Sequence, residues 1–317
     1  MPDDQSPPYA ASAASASAPP PVPPKTRPPA PDRTGLGIAL MCMTALIFSM
    51  QDGFSRVLGA DYPPIFVVMI RYWIFAAFVI VLVSRQPGGL KRAIRTKRPV
   101  TQIFRGVLLV AEVVVMVEAF VRLGLVETHA VFTAYPLFVA ALSGPVLGEK
   151  VGWRRWAAIG IGFAGILVIL QPGSGIMRIE SLLPFLSALM FALYGLLTRH
   201  VSRDDPSMVS FFWTGIAGAV AITLVGIWDW QWLAPVDWIW MAGLCICGMT
   251  SHYLMIRAYE LAEASSLQPF AYTQLVWASL IGVFVFGEVM RPNVVVGAVI
   301  VVAAGLFTLW RARVRAG

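Results

Sequence analysis

Arg71, Glu112 and His252 each fall inside a long apolar run. A guanidinium offers five donors in a fixed fork, a carboxylate offers acceptors and takes up a proton, and an imidazole titrates near neutrality. In apolar surroundings their open chemistry is to hold or pass a proton, or to grip a polar solute. Arg71 and Glu112 lie at similar depth, about 12 and about 15 Å from their helix ends at about 1.5 Å per residue. Two readings follow. In one, the pair is a switch in which Glu112 takes a proton as Arg71 is displaced. In the other, it is a static buried ion pair that fixes helix packing. His252 reads either as a proton carrier or as a packed, satisfied side chain.

A second set offers hydrogen bonds without full charge: Gln51, Tyr135, Tyr194, Gln268, Tyr272 and Gln274. These are the expected solute contacts, although ordinary hydrogen bonding between helices uses the same residue types. Pro136 removes a backbone bond and should bend its helix. Asp52 has Arg56 four residues on, and Glu118 has Arg122 four residues on, the spacing of a same-face helical pair. Arg105 lies near a helix end, within reach of the membrane surface as an anchor. Cys245, Cys247 and His252 do not match zinc spacing, and His129 and His200 are expected on opposite sides of the membrane, so no metal site is expected. Gly160 to Gly165 spells G-x-G-x-x-G, but no strand precedes it, so it reads as small residues allowing close helix contact. There is no Walker A sequence and no convergent nucleophile, so neither a catalytic residue nor a cofactor is expected.

The elements that must position these groups follow from composition. Hydrophobic residues make up 58% of the 317, charged residues only 13%, and mean hydropathy is +0.73. A soluble domain carries about 25% charged residues, so the chain reads as an all-α polytopic membrane protein. The net charge of +7 is spread as short basic clusters between apolar runs, which argues against a nucleic-acid partner. Residues 1–34 hold 11 of the 23 prolines and read as a disordered cytoplasmic tail. Ten apolar spans are predicted near 35–57, 63–84, 100–122, 126–147, 152–171, 180–200, 207–228, 235–257, 264–286 and 292–311. With both termini in the cytoplasm, inner segments hold 18 of the 24 Lys and Arg residues and outer ones hold four. Trp228, Trp230, Trp232, Trp238 and Trp240 suit an interfacial aromatic belt.

A weak repeat runs through the chain at offsets of 139 to 143. Ala45-Leu46-Ile47-Phe48 matches Ala188-Leu189-Met190-Phe191, and Leu147-Gly148-Glu149 matches Phe286-Gly287-Glu288. The unit is five spans, an odd number, so the second copy must be inverted in the membrane. Two halves are therefore expected, 35–171 and 180–311, with a solute site near the midplane and alternating access. Glu149 and Glu288 are expected to cap or brace adjacent helices.

Arg71-Tyr72, Arg105-Gly106, Thr133-Ala134-Tyr135-Pro136-Leu137-Phe138 and Leu147-Gly148-Glu149 together resemble the EamA-type branch of the drug/metabolite transporter superfamily. Val151 to Trp156, Gly162 to Gly165 and the second Gly287-Glu288 strengthen the resemblance, which covers nearly everything after residue 34. The second half departs from the pattern, with Gln274-Leu275 where the first has Tyr135-Pro136. The resemblance implies a ten-helix carrier of a small organic solute in a bacterial inner membrane. It implies export of an amino acid or related metabolite first, and uptake of a vitamin or nucleoside derivative such as riboflavin or S-adenosylmethionine as the alternative. A membrane enzyme or a structural subunit is the competing class. Lipid and a small-molecule solute are the expected partners, protons are the candidate coupling ion, and the sequence is compatible with a homodimer.

Overall fold

A computed structural model describes residues 34–148, 152–171, 179–201, 204–261 and 264–316. The predicted tail lies outside them, apart from Thr34, and so does Glu149. Among the described residues there is no strand, and the chain forms thirteen α-helices. These are α1 (Thr34–Asp61), α2 (Pro64–Ser84), α3 (Gly89–Ile94), α4 (Pro99–Leu123), α5 (Leu125–Phe132), α6 (Tyr135–Leu147) and α7 (Trp153–Leu170). They continue with α8 (Leu182–Val201), α9 (Ser207–Gly226), α10 (Asp237–Leu261), α11 (Ala264–Ala271), α12 (Thr273–Phe286) and α13 (Pro292–Ala316).

Local sequence sets the breaks. Pro64, Pro99 and Pro292 open α2, α4 and α13, where a missing amide hydrogen costs nothing. Gly148 and Gly287 end α6 and α12 with φ of +74° and +65°, a conformation that costs a glycine little. Two predicted spans are each divided. Residues 126–147 form α5 and α6, parted at Thr133 and Ala134 just before Pro136. Residues 264–286 form α11 and α12, parted at Tyr272, three residues beyond Pro269. The short α3 was not expected.

Among the described residues, six stretches are long and apolar enough to cross a membrane: Gly35–Asp61, Pro64–Ser84, Leu125–Val146, Ile179–Val201, Met208–Asp229 and Pro269–Phe286. Large apolar side chains face outward along the bundle, as lipid requires, among them Leu224, Phe284 and Val299. Trp228 and Trp232 stand 86% and 83% exposed beside Trp230, in keeping with the belt.

Among the described residues, two large apolar cores hold the bundle, with two smaller clusters around Val79 and Phe212 and around Met41 and Leu267. One joins α4, α5, α6, α7, α8 and α13 around Phe120, Leu125, Leu137, Ile166 and Val301. The other joins α1, α2, α4, α9 and α10 around Leu58, Phe66, Met69, Met241 and Leu244. The most extensive helix pairings are α1 with α10 and α7 with α13. The α7–α13 seam is very close. A Cβ on Gly165 would stand 3.0 Å from the Gly297 carbonyl, and one on Gly297 would stand 2.6 Å from the Gly165 carbonyl. This is the close helix contact that the run from Gly160 to Gly165 suggests.

Gly165→Val should therefore part α7 from α13 and lower the stability of the detergent-solubilised protein by about 1–3 kcal/mol. Thermal unfolding checks this, with Gly160→Ala, at an open position, expected to unfold like the native chain.

Candidate functional site: a central cavity beside a buried polar chain

A small cavity of about 30 Å³ lies among α2, α4, α8, α9 and α10. Its wall carries the Arg71 side chain and the rings of Tyr72, Phe75, Tyr194, Phe211 and His252. Thr214, Met249 and Gly248 complete it with Leu109 and Cys245. The His252 ring meets Phe48 edge-on at 5.1 Å and lies tilted on Phe75 at 5.8 Å. This volume holds a water or two.

Beside the cavity runs a chain of buried polar groups. Arg71 donates to Gln51 Oε1 at 3.3 Å, and Gln51 donates to Asp52 Oδ1 at 3.5 Å, at the edge of bonding range. Asp52 Oδ2 meets His129 Nε2 at 3.1 Å and accepts from Gln274 Nε2 at 3.2 Å. The His129 ring stacks on Phe120, 5.4 Å between centroids. Ser187 donates to Glu112 at 2.6 Å. Gln51, Asp52, Glu112 and His129 are all buried.

The predicted partners of three charges differ from those found. Arg71 turns to Gln51 and Glu112 to Ser187, so the two do not form the direct pair that their depths suggested. Asp52 turns inward to His129 and Gln274 rather than to Arg56. Arg105 is 1% exposed and is no surface anchor. It bonds Gln102 at 2.8 Å, Tyr194 and Thr198 at 3.2 Å each, and the Ser210 carbonyl, tying α4 to α8 and α9. A guanidinium in lipid must have its donors met, and α8 and α9 supply more acceptors than a snorkelling side chain could reach. Glu118 and Arg122 do pair, at 2.5 Å.

The predicted solute contacts scatter. Tyr194 and Arg71 line the cavity, Gln51 reaches it through Arg71, and Gln274 belongs to the polar chain. Tyr135 packs edge-on to Phe191 at 5.1 Å, away from the cavity wall. Tyr272 is pressed against Gly305, its hydroxyl buried without a hydrogen-bond partner. The Gln268 side chain lies outside the described residues. His129 went unrecognised because its partner is 77 residues distant, beyond any local signal.

Ionic locks sit at both ends of the bundle. At one, Glu288 accepts the backbone N–H groups of Leu125 and Val126, at 2.8 Å each, and pairs with Arg56. It thus caps α5, the bracing role expected of it, and Arg291 pairs with Glu127 alongside. At the other end Asp205 accepts from Thr96, from the Lys97 amide at 3.1 Å and from Gln102 at 3.0 Å. Arg98 pairs there with Asp204 at 2.5 Å. Desolvation alone would raise the Asp205 carboxyl, but the bonds from Thr96, Gln102 and Lys97 outweigh it and hold the group below its ordinary value.

A carboxyl whose folded value is depressed stabilises the fold above the unfolded value, and the gain fades as pH falls through the folded one. Asp205→Asn should therefore unfold earlier than the native chain at neutral pH. The gap should close as pH drops below the ordinary value of 3.8, which thermal melts across pH would reveal.

The EamA-like transporter family matches residues 35–171 and 178–310. An S-adenosylmethionine uptake transporter of Rickettsia prowazekii (strain Madrid E) is 25% identical over 277 residues, 86% of this chain and 92% of that protein. A riboflavin transporter of Vibrio cholerae is 28% identical over 282 residues, 88% of this chain and 91% of that protein. A riboflavin transporter of Brucella anthropi is 29% identical over 258 residues, 76% and 87% of the two chains. A solved crystal structure superposes with a TM-score of 0.58 at 19% identity, covering 88% of this chain and 99% of the other, a likeness of fold alone.

Proposed function

The chain belongs to the EamA-like transporter family, and on that premise we propose that it is a secondary carrier taking up a flat heteroaromatic metabolite of the flavin or adenosyl class. It is a membrane transporter rather than an enzyme, as its family and its relatives are. The relatives named as an S-adenosylmethionine uptake transporter and as a riboflavin transporter favour this over amino-acid export.

The observation that carries the reading is the cavity wall. Tyr72, Phe75, Tyr194, Phe211 and His252 offer ring faces and edges on which a planar solute stacks. Arg71 offers a donor fork to a carbonyl pair or a carboxylate. Arg71, Tyr72, Phe75 and Leu109 come from the residues of the first family match, and the rest from the second. The reading therefore takes ten crossings in two inverted halves, with the solute held between them. It places both termini in the cytoplasm of a bacterial inner membrane, supported by the 18-to-4 division of basic residues. A cavity of about 30 Å³ is far too small for such a solute. Loading thus requires helices to part, which is what alternating access demands.

The purified chain in proteoliposomes should exchange labelled riboflavin or S-adenosylmethionine in counterflow, saturably, and leave labelled amino acids outside. Arg71→Lys and Tyr194→Ala should each weaken apparent affinity about tenfold, the loss of about 1.4 kcal/mol of contact. Flux of amino acids with none of either probe would overturn the assignment.

A further inference from the structure

We propose that α3 and the cations around it form a docking surface for the headgroups of anionic phospholipids, at the end of the bundle where α2 leaves the bilayer. The inference needs only that the chain crosses a membrane and is independent of the solute it carries.

The sequence supplies the charge. Residues 85–98 contain six Lys or Arg residues and no Asp or Glu. The far end of the stretch is already engaged, since Arg98 pairs with Asp204 and the Lys97 amide donates to Asp205. Arg85, Lys91, Arg92 and Arg95 are exposed and make no ion pair among the described residues. A cationic cluster directly beside a membrane-crossing helix attracts acidic headgroups, and each cation near the surface adds to the attraction.

The fold supplies the placement. The apolar crossing of α2 ends at Ser84, so Arg85 stands where the chain reaches the headgroups. Gly88 and Gly89, with φ of +92° and +50°, bend the chain, and α3 then packs on α2 and α9. Ala93 is the one residue that α3 buries, in a small core with Val79, Val83 and Phe212. Leu90 and Ile94, four residues apart and so on one side of the helix, stay 38% and 53% exposed. At about 100° per residue, Lys91 comes round nearly opposite Ala93. The helix thus turns one side to the bundle, one to acyl chains and one to phosphates, the division of an interfacial amphipathic helix.

The apolar side decides the occupant. A soluble anion or a nucleic acid would neutralise the cations and leave Leu90 and Ile94 in water. A phospholipid meets both needs, with an anionic head and apolar chains. The first turns of α4 add exposed Val100, Ile103 and Phe104 to the same stretch of chain. That stretch runs through Thr96 and Lys97 into the bonds with Asp205. A headgroup held on α3 therefore steadies the loop that carries one of the two end locks, since a ligand stabilises the form that binds it.

The test uses the full chain purified in an uncharged detergent. Native mass spectrometry compares the phosphatidylglycerol retained with phosphatidylcholine added at the same level. The native chain should retain phosphatidylglycerol preferentially, and the lipid should raise its melting temperature. Lys91→Gln, Arg92→Gln and Arg95→Gln combined should weaken retention about tenfold, equivalent to about 1.4 kcal/mol, and abolish the rise in melting temperature. Lys91→Arg with Arg92→Lys and Arg95→Lys keeps the charges and should keep both effects. Native retention by the neutralised chain would overturn the surface. So would release of the lipid by glycerol phosphate, which would make this a site for soluble anions.

Discussion

Inside a bilayer a polar group has no water to fall back on, so each one must find its partner within the chain. That requirement explains most of what is unusual here. Arg105 is wholly buried because Gln102, Tyr194, Thr198 and the Ser210 carbonyl together meet its donors. The buried N-terminal amides of α5 are met by Glu288 from beyond α12. Asp52 is met from two helices at once. Apart from the Gln102 contact within α4, these bonds join segments far apart in sequence, so satisfying local polarity also fixes the tertiary arrangement.

How far the sequence foretold this differs by kind of information. Apolar runs of about 20 residues located nearly every helix, because lipid crossing demands length and apolarity together. Pro136 signalled the parting of α5 from α6, since a missing amide hydrogen leaves a local mark. The parting of α11 from α12 at Tyr272 was less legible, because Pro269 lies inside α11 rather than at the gap. Partnership was the weak point. Neighbours four residues apart are visible in sequence, which is why Glu118 and Arg122 were matched correctly. That same proximity suggested Arg56 for Asp52, whereas Arg56 closes on Glu288, 232 residues away. Helix packing chose among several sterically available partners, and nothing local encodes that choice.

The two ends of the bundle solve one problem with different parts. At the Glu288 end a carboxylate caps a half-helix and pairs with an arginine that also lies over Phe286, 4.1 Å from ring centre to guanidinium carbon. At the Asp205 end the carboxylate reaches back to the start of α4 through Thr96, Lys97 and Gln102. Between them the aromatic cavity is almost filled by its own wall. The ion pairs and caps thus gather at the two ends, and the apolar cores lie between them.

The seam of α7 and α13 bears on how such a molecule can move. With Gly165 and Gly297 facing each other, the backbones come close, and the Ile300 and Ile169 side chains lie against the two glycines. Sliding one helix along the other would drive Ile169 and Ile300 off the glycines and against bulkier neighbours. The pair is therefore a poor slide: each isoleucine is keyed to the other helix's glycine, so displacement of one helix alone costs both fits together.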